Sequence, residues 1–563
     1  MILTPTRSEE GTTERYQHHK MKKALKTIIA PQKAKLQILT TKFTGLYAFF
    51  FITLLSISAW YFFYSRNLVL AYNDAMSHLN LSRLVIDNID PGLTQIGGVW
   101  LPLTHVLPLT LIWNEWAWQS GFAGSLFSML AYLVSSFGIY QIIKILTQNK
   151  LSATVGAAAF ALNLNMLYLQ STPMTESLYI AFFVLSALFF VKYTQKNDTK
   201  FLILLGITGF LQVLTRYDGW FVVGLQSLAV ILYELFVHRK SLSETFGKTV
   251  LFAFPVAFGI ALWLTWNLII FKDPFFFALG PYSAHAQQLS IESASGLFTK
   301  YNIYNSTVAF IFAAIANIGL SLIALALGGI ALFFINSEKK LIKYKKAIII
   351  FFLAGPIIFN ILALFLGFSI LNLPELNWNP SDDPAGRWFN VRYGVLALPF
   401  IAIFIGIFAN WKKLATVIAL EIILLQIILM YPNNIITITD GTIGSSSYQY
   451  ADTSDNLRQS IDDNDTILLS LSFYNPVAFK SGAQLKQIVH EGTGALWTQA
   501  LTSPEKSKVD WIVMSNGSIG EPAYSTLITT QKSRFLKYYV LHHKGKHADI
   551  YQLKPNSLVT SQN

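Results

Sequence analysis

The chain contains no cysteine. Disulfide frames and thiolate metal sites are therefore excluded, and the redox compartment stays open. Charge is scarce too: 13% of the 563 residues are Asp, Glu, Lys or Arg, against 53% hydrophobic. A soluble protein of this length has no use for so much apolar surface, because its core stops growing and divides into domains. No internal repeat and no low-complexity tract is visible, which argues against a transporter built from inverted repeats. The net charge of +12 does not collect into a nucleic-acid footprint. It is spread over short loops instead.

What the sequence does have is apolar runs long enough to cross about 30 Å of hydrocarbon. The runs predict spans at 44–64, 122–146, 151–170, 174–193, 200–215, 219–237, 249–271, 308–335, 347–370, 390–409 and 413–431. The fold class expected is a polytopic α-helical membrane protein of about eleven spans with a small C-terminal α/β domain. Lys144 with Lys150, Lys192 with Lys196 and Lys200, Arg239 with Lys240 and Lys248, Lys339 to Lys346, and Lys412 with Lys413 fall on one side. By the positive-inside rule that side is cytoplasmic. Residues 1–43 read as a basic cytoplasmic tail, 44–431 as the membrane domain, and 432–563 as an extracytoplasmic α/β domain. The protein is placed in the cell membrane as a multi-pass chain. In the last domain, strands are expected at 466–471, 485–490, 509–514 and 538–542, and over Ala548–Leu553.

Residues 65–121 are the first outer loop. Residues 75–89 read as a helix in the membrane interface, ended by Pro91-Gly92. Residues 99–113, with Trp113, Trp116 and Trp118 close by, read as a re-entrant or juxtamembrane piece. Charge gathers in this loop: Asp74, His78, Arg83, Asp87, Asp90 and His105. A carboxylate at Asp74 can serve as general base toward a hydroxyl, or it can cap the helix that follows. His78 lies one turn later; with Asp74 it makes two metal ligands of a set without a third, so hydrogen bonding within the loop is the favoured reading. Arg83, Asp87 and Asp90 read as an ion network. Further polar groups stand in later outer loops: Glu176 in Thr175-Glu176-Ser177, Arg216 in Arg216-Tyr217-Asp218-Gly219, Tyr282 and His285 after Asp273-Pro274, and Arg387 with Arg392. Arginine is disfavoured in outer loops, and guanidinium matches phosphate, although pairing of these arginines with Asp218, Asp382 or Asp383 is the alternative. Glu421 lies mid-span, where a protonated, hydrogen-bonded carboxyl fits better than a proton relay. Asn163 and Asn165 read as helix-packing groups.

The ordered set Asn73-Asp74-Ala75, Trp100 to His105, Thr175-Glu176, Arg216 to Gly219, Asp273-Pro274 and Arg392-Tyr393-Gly394 resembles the GT-C superfamily of membrane glycosyltransferases. Within it, the chain is similar to glycosyltransferase family 39 and microbial relatives of the protein mannosyltransferases. The resemblance implies inverting transfer of a sugar from a polyprenyl-phosphate donor to a protein, lipid or polysaccharide acceptor at the outer face, among membrane lipids and without nucleic acid. It implies Asp74 as general base and Arg392, Arg387 and Arg216 as ligands of the donor phosphate. His105, Tyr282, His285, His78 and Glu176 would bind substrate. Many protein mannosyltransferases have Asp-Glu at the catalytic tip, whereas Ala75 follows Asp74 here, so neither a metal nor another cofactor is assigned. A transporter or flippase of lipid-linked saccharides is the competing expectation.

Overall fold

Helices follow the apolar runs because hydrocarbon offers backbone groups no partner but one another. A computed structural model describes residues 49–280, 283–335, 340–374, 388–431, 435–444, 446–518 and 520–555. Of residues 1–55, it covers only the start of helix α1 (Phe49–Tyr64). The basic tail, Lys339, Tyr282, Asp382, Asp383 and Arg387 lie outside the described residues.

After α1 the chain forms α2 (Asn73–Arg83), α3 (Phe122–Thr147), α4 (Lys150–Ala161) and α5 (Glu176–Lys196). It continues through α6 (Lys200–Val213), α7 (Asp218–Val237) and α8 (Leu242–Phe271). Then come α9 (Ile303–Ile318), α10 (Leu320–Ile335), α11 (Lys340–Leu353), α12 (Gly355–Leu366), α13 (Val391–Ala409) and α14 (Lys413–Met430). Among the described residues, six helices are long and apolar enough to cross a membrane, and two bent pairs raise the number to eight. The protein is thus a multi-pass membrane protein, although the full count of crossings expected is not reached on these criteria.

The differences from the expected spans have local causes. The run 308–335 is not one helix: α9 and α10 meet at 107°, where Gly319 takes φ +97° and the Asn317 amide turns to the Val391 carbonyl at 2.7 Å. The run beginning at 347 starts earlier, at Lys340, and bends by 53° ahead of Gly355-Pro356, where proline sits in the first turn of α12. The run 151–170 breaks after Ala161, because the Asn163 side chain accepts from Met166 N and starts a new short helix, Leu164–Leu169. Glu421 is exposed on α14, not hydrogen-bonded inside the bundle, since α14 turns that face outward.

Beyond α14 the chain builds α15 (Ala451–Ser460), β1 (Ile467–Leu468), α16 (Leu471–Lys480), β2 (Ile488–Val489), α17 (Ala495–Thr502), β3 (Trp511–Ser515), β4 (Tyr539–His543) and β5 (Ala548–Leu553). The sheet runs β2-β1-β3-β5-β4. Its first three strands are parallel, and β5 is antiparallel to both β3 and β4. At the carboxyl edge of β1, Glu491 accepts from Leu471 N at 3.0 Å and Ser472 N at 3.3 Å and takes the Ser470 hydroxyl. It thereby fills the anion position at the start of α16 with the chain's own carboxylate.

One face of the sheet has a core of its own, in which Leu468, Val489, Ile512 and Met514 pack with Trp497, Leu527 and Phe535, and the other face shares one. Met76, Leu79, Ile112 and Trp118 of the first loop pack in one buried cluster with Leu457, Ile467, Tyr474, Ile488, Val513 and Ile550. Polar contacts follow the same seam: Asn80 Nδ2 to Asn475 Oδ1 at 2.8 Å, His490 Nε2 to Asn88 Oδ1 at 3.0 Å, and Gln95 Nε2 to the Gly492 carbonyl at 3.2 Å. The helix expected to lie in the membrane interface is therefore enclosed: residues 75–80 and Ser82 are buried. It also ends earlier than expected, at Arg83, whose guanidinium turns to Asp87 (3.2 Å) and Glu115 (3.1 Å).

Candidate active site

Three sequence-remote segments meet at the first turn of α2. Tyr72 is paired in an isolated antiparallel bridge with Ser446, and this fixes where α2 starts. Asp74 follows in the first turn and makes no cap; the residue flanking the helix is Tyr72, without a side-chain cap bond. The Asp74 carboxylate is instead drawn to a guanidinium. Arg392 Nη2 donates to Asp74 Oδ2 at 2.8 Å.

Arg392 stands in a tight 3₁₀ stretch, Val391–Ala397, at the head of α13. Gly394 lets that stretch press against α9, for a Cβ there would lie 2.2 Å from the Ala313 carbonyl oxygen. Arg392 is 4% exposed, and three carboxylates surround it. Besides Asp74, Nε donates to Glu176 Oε1 at 3.1 Å, and Nη1 lies 3.6 Å from Asp440 Oδ2. The Tyr72 ring lies 5.0 Å from the guanidinium carbon. The Tyr72 hydroxyl faces the Thr437 carbonyl at 2.8 Å and Asp440 Oδ2 at 3.1 Å. Glu176 also receives Arg216 Nη1 at 3.0 Å, while Arg216 Nε is shared by both oxygens of Asp218 at 3.0 and 3.1 Å. Tyr393 lies between the two guanidiniums, 5.1 Å from Arg216 and 5.2 Å from Arg392.

The structure thus brings Asp74, Glu176, Arg216 and Arg392 together. It adds Asp440, which the sequence reading missed. Asp440 follows the last span in the run Thr437-Ile438-Thr439-Asp440-Gly441, with no periodicity to mark it. Its signal lay in Arg392, because a buried guanidinium needs carboxylate partners. Burial pushes the Asp440 carboxyl up, with Arg392 opposing the shift.

Several expectations change. Arg216 and Arg392 were expected to present free donors to phosphate; most of those donors are occupied by Asp74, Glu176, Asp218 and Thr175. Glu176 is fully buried and holds two arginines. His78 and His105 are buried against one another, Nδ1 to Nε2 at 2.9 Å, beside Trp100. Among the described residues, no group of three His, Asp or Glu side chains has the arrangement of a metal site. His285 is exposed on the helix Ala284–Ser295 and enters none of the cluster's hydrogen bonds. Asn163 and Asn165 do pack: both donate to the Asn317 carbonyl, and Asn165 Oδ1 also holds Thr437.

Three buried histidines around α2 are held neutral. Burial first, then Arg392 and Arg216, pushes His78 down to about 3; burial and His78 lower His105; burial lowers His490 to about 4. A histidine with a depressed folded-state pKa contributes stability that is complete above its usual value of about 6.5. That contribution is lost as pH falls toward the folded value. The melting temperature of the purified protein is therefore expected to drop between pH 6.5 and 4, and His490→Gln to flatten part of that slope. A wild-type melting temperature constant over this interval contradicts the assignment.

Residues 114–266 match the family of dolichyl-phosphate-mannose-protein mannosyltransferases. No curated protein matches the sequence. Among solved structures, ArnT from Cupriavidus metallidurans bound to undecaprenyl phosphate is similar with a TM-score of 0.56 at 12% identity, over 90% of this chain and 98% of that one. The oligosaccharyltransferase AglB from Archaeoglobus fulgidus, in complex with an inhibitory peptide and a dolichol-phosphate, gives 0.47 at 12% identity, over 89% of this chain and 72% of that one.

Proposed function

Because the chain carries the GT-C membrane glycosyltransferase fold, we propose that it transfers a sugar from a polyprenyl-phosphate-linked donor to an acceptor hydroxyl at the extracytoplasmic face, with inversion. The observation that carries this reading is the placement of Asp74. Its side chain is 32% exposed, whereas Glu176 and Asp440 are fully buried. Asp74 is thus the carboxylate of the Arg392 cluster that an acceptor can reach. The proton of the acceptor hydroxyl passes to Asp74 as the oxygen bonds to the anomeric carbon. The bond from that carbon to the phosphate oxygen breaks, and its electron pair leaves with the lipid phosphate. Phosphate is a good leaving group, so the remaining task is electrostatic, and Arg392 and Arg216 stand next to Asp74 for it. The undecaprenyl phosphate held by the similarly folded ArnT supports a lipid-phosphate donor. Arg387 is proposed as a further ligand of the donor phosphate, and Tyr282 and His285 as substrate-binding residues, on sequence grounds alone. The protein chain, lipid or polysaccharide that accepts the sugar stays the object of the test.

Mass spectrometry of lipids and glycoconjugates from cells lacking the gene tests the reading. The expected result is loss of one sugar from an acceptor with accumulation of its lipid-phosphate form. An unchanged acceptor pool, together with movement of labelled lipid-linked sugar across proteoliposomes by the purified protein, establishes the flippase reading instead.

A further inference from the structure

The charged cluster does not balance. Two guanidiniums, Arg216 and Arg392, stand among four carboxylates: Asp74, Glu176, Asp218 and Asp440. A lipid phosphate entering this set meets net negative charge, and the guanidinium edges that suit it are mostly taken. It gains a place only by displacing a carboxylate. Glu176, Asp218 and Asp440 are between 0 and 3% exposed. Each is pinned elsewhere as well: Glu176 by Arg216, Asp218 by the doubly shared Arg216 Nε, and Asp440 by Tyr72. Among the described residues Asp74 has one charged partner, through Oδ2, and of the four it is the carboxylate that reaches open space.

We propose that Arg392 is an exchange site: at rest it holds Asp74, and the phosphate of an arriving lipid donor takes the place of Asp74 on Nη2, releasing the carboxylate to act as base. This inference rests on the lipid-phosphate reading above and adds an order to it, donor before acceptor. The geometry supports the exchange in three ways. Arg392 Nη1 faces Asp440 Oδ2 at 3.6 Å and is a buried donor without a hydrogen-bond partner among the described residues, so a phosphate bridging Nη1 and Nη2 gains a bond that the carboxylate of Asp74 does not make. The fork suits a tetrahedral anion with two oxygens to offer. The guanidinium keeps Glu176 on Nε throughout and so need not move. Helix α2 is held independently through its buried face and through Asn80, so only the Asp74 side chain has to rotate. Until the donor arrives, the ion pair neutralises the base and fixes its rotamer.

The experiment is carbodiimide labelling of Asp74 in the full-length purified protein, read by peptide mass spectrometry, with and without undecaprenyl phosphate. Binding of the lipid is followed in parallel by native mass spectrometry. Labelling of Asp74 is expected to rise about tenfold when the lipid phosphate binds, the change that follows loss of one charge-assisted hydrogen bond. Undecaprenol, which lacks the phosphate, is expected to leave it unchanged. The wild-type comparison decides, with undecaprenol as its control, because Arg392→Gln is expected to leave little folded protein. Bound undecaprenyl phosphate with Asp74 labelling unchanged or reduced overturns the exchange and leaves the donor reading intact. Absence of any bound lipid phosphate overturns the donor reading and the exchange with it.

Discussion

Replacing Asp74 by asparagine is expected to lower sugar transfer by a factor of about 10² to 10⁴, the usual contribution of a positioned general base, while the protein stays folded. Asparagine keeps the shape of the side chain, and its carbonyl oxygen still accepts from Arg392 Nη2 where Oδ2 does so now at 2.8 Å. What it loses is the ability to take the hydroxyl proton. The helix around it depends on other contacts, the buried face of α2 and the Asn80–Asn475 pair. Fold and chemistry therefore separate in this variant, and the check is transfer rate and melting temperature measured on one preparation. Wild-type transfer by the variant removes Asp74 from the mechanism, and a collapsed melting temperature makes it structural.

Arg392→Gln is expected to behave in the opposite way, losing stability first. Removing one member of a buried ion cluster leaves its partners as uncompensated charge, a cost of about 3–5 kcal/mol where one partner remains. Here Glu176 and Asp440 are left in the interior, and Asp74 at its edge. Because a membrane protein's folded state rests on a narrow margin, the expected outcome is a sharply lower melting temperature and little recoverable protein. Arg392→Lys restores the charge but not the planar fork, so it is expected to recover part of the stability and little of the transfer. If Arg392→Gln melts like wild type, the cluster is not holding the segments together.

Much of this arrangement was legible beforehand because it follows from solvent. Apolar length marked the helices, and cation placement set Lys144, Lys192, Lys240 and Lys412 at helix ends remote from Glu176, Asp218 and Arg392. The strand candidates located β3 and β5 to within about two residues. The breaks were not legible in the same way. Gly319 and Gly355-Pro356 bend helices whose hydropathy runs on without interruption, and a window average does not register one left-handed residue. The candidate site was half legible. Asp74 and Arg392 each stood out as charge beside a membrane, but their pairing joins positions 318 residues apart, and no local pattern carries that. Asp74 therefore read as a base facing a distant phosphate ligand, when the two side chains hold each other. Asp440 and the seam of Asn80, Asn88, Asn475 and His490 went unread for the same reason: polar pairs across a tertiary interface have no period.

The Tyr72–Asp440 contact spans 368 residues, which gives the site a history during synthesis. At about 5–20 residues per second, the first loop is made roughly 20 to 70 s before the carboxylate that closes around Arg392. Asn475, which holds Asn80 of α2, comes later still. Until Arg392 is made, Asp74 has no guanidinium partner, and until Asp440 follows, the buried arginine lacks one of its carboxylates. A chain released before that point carries Asp74 with the cluster around Arg392 incomplete.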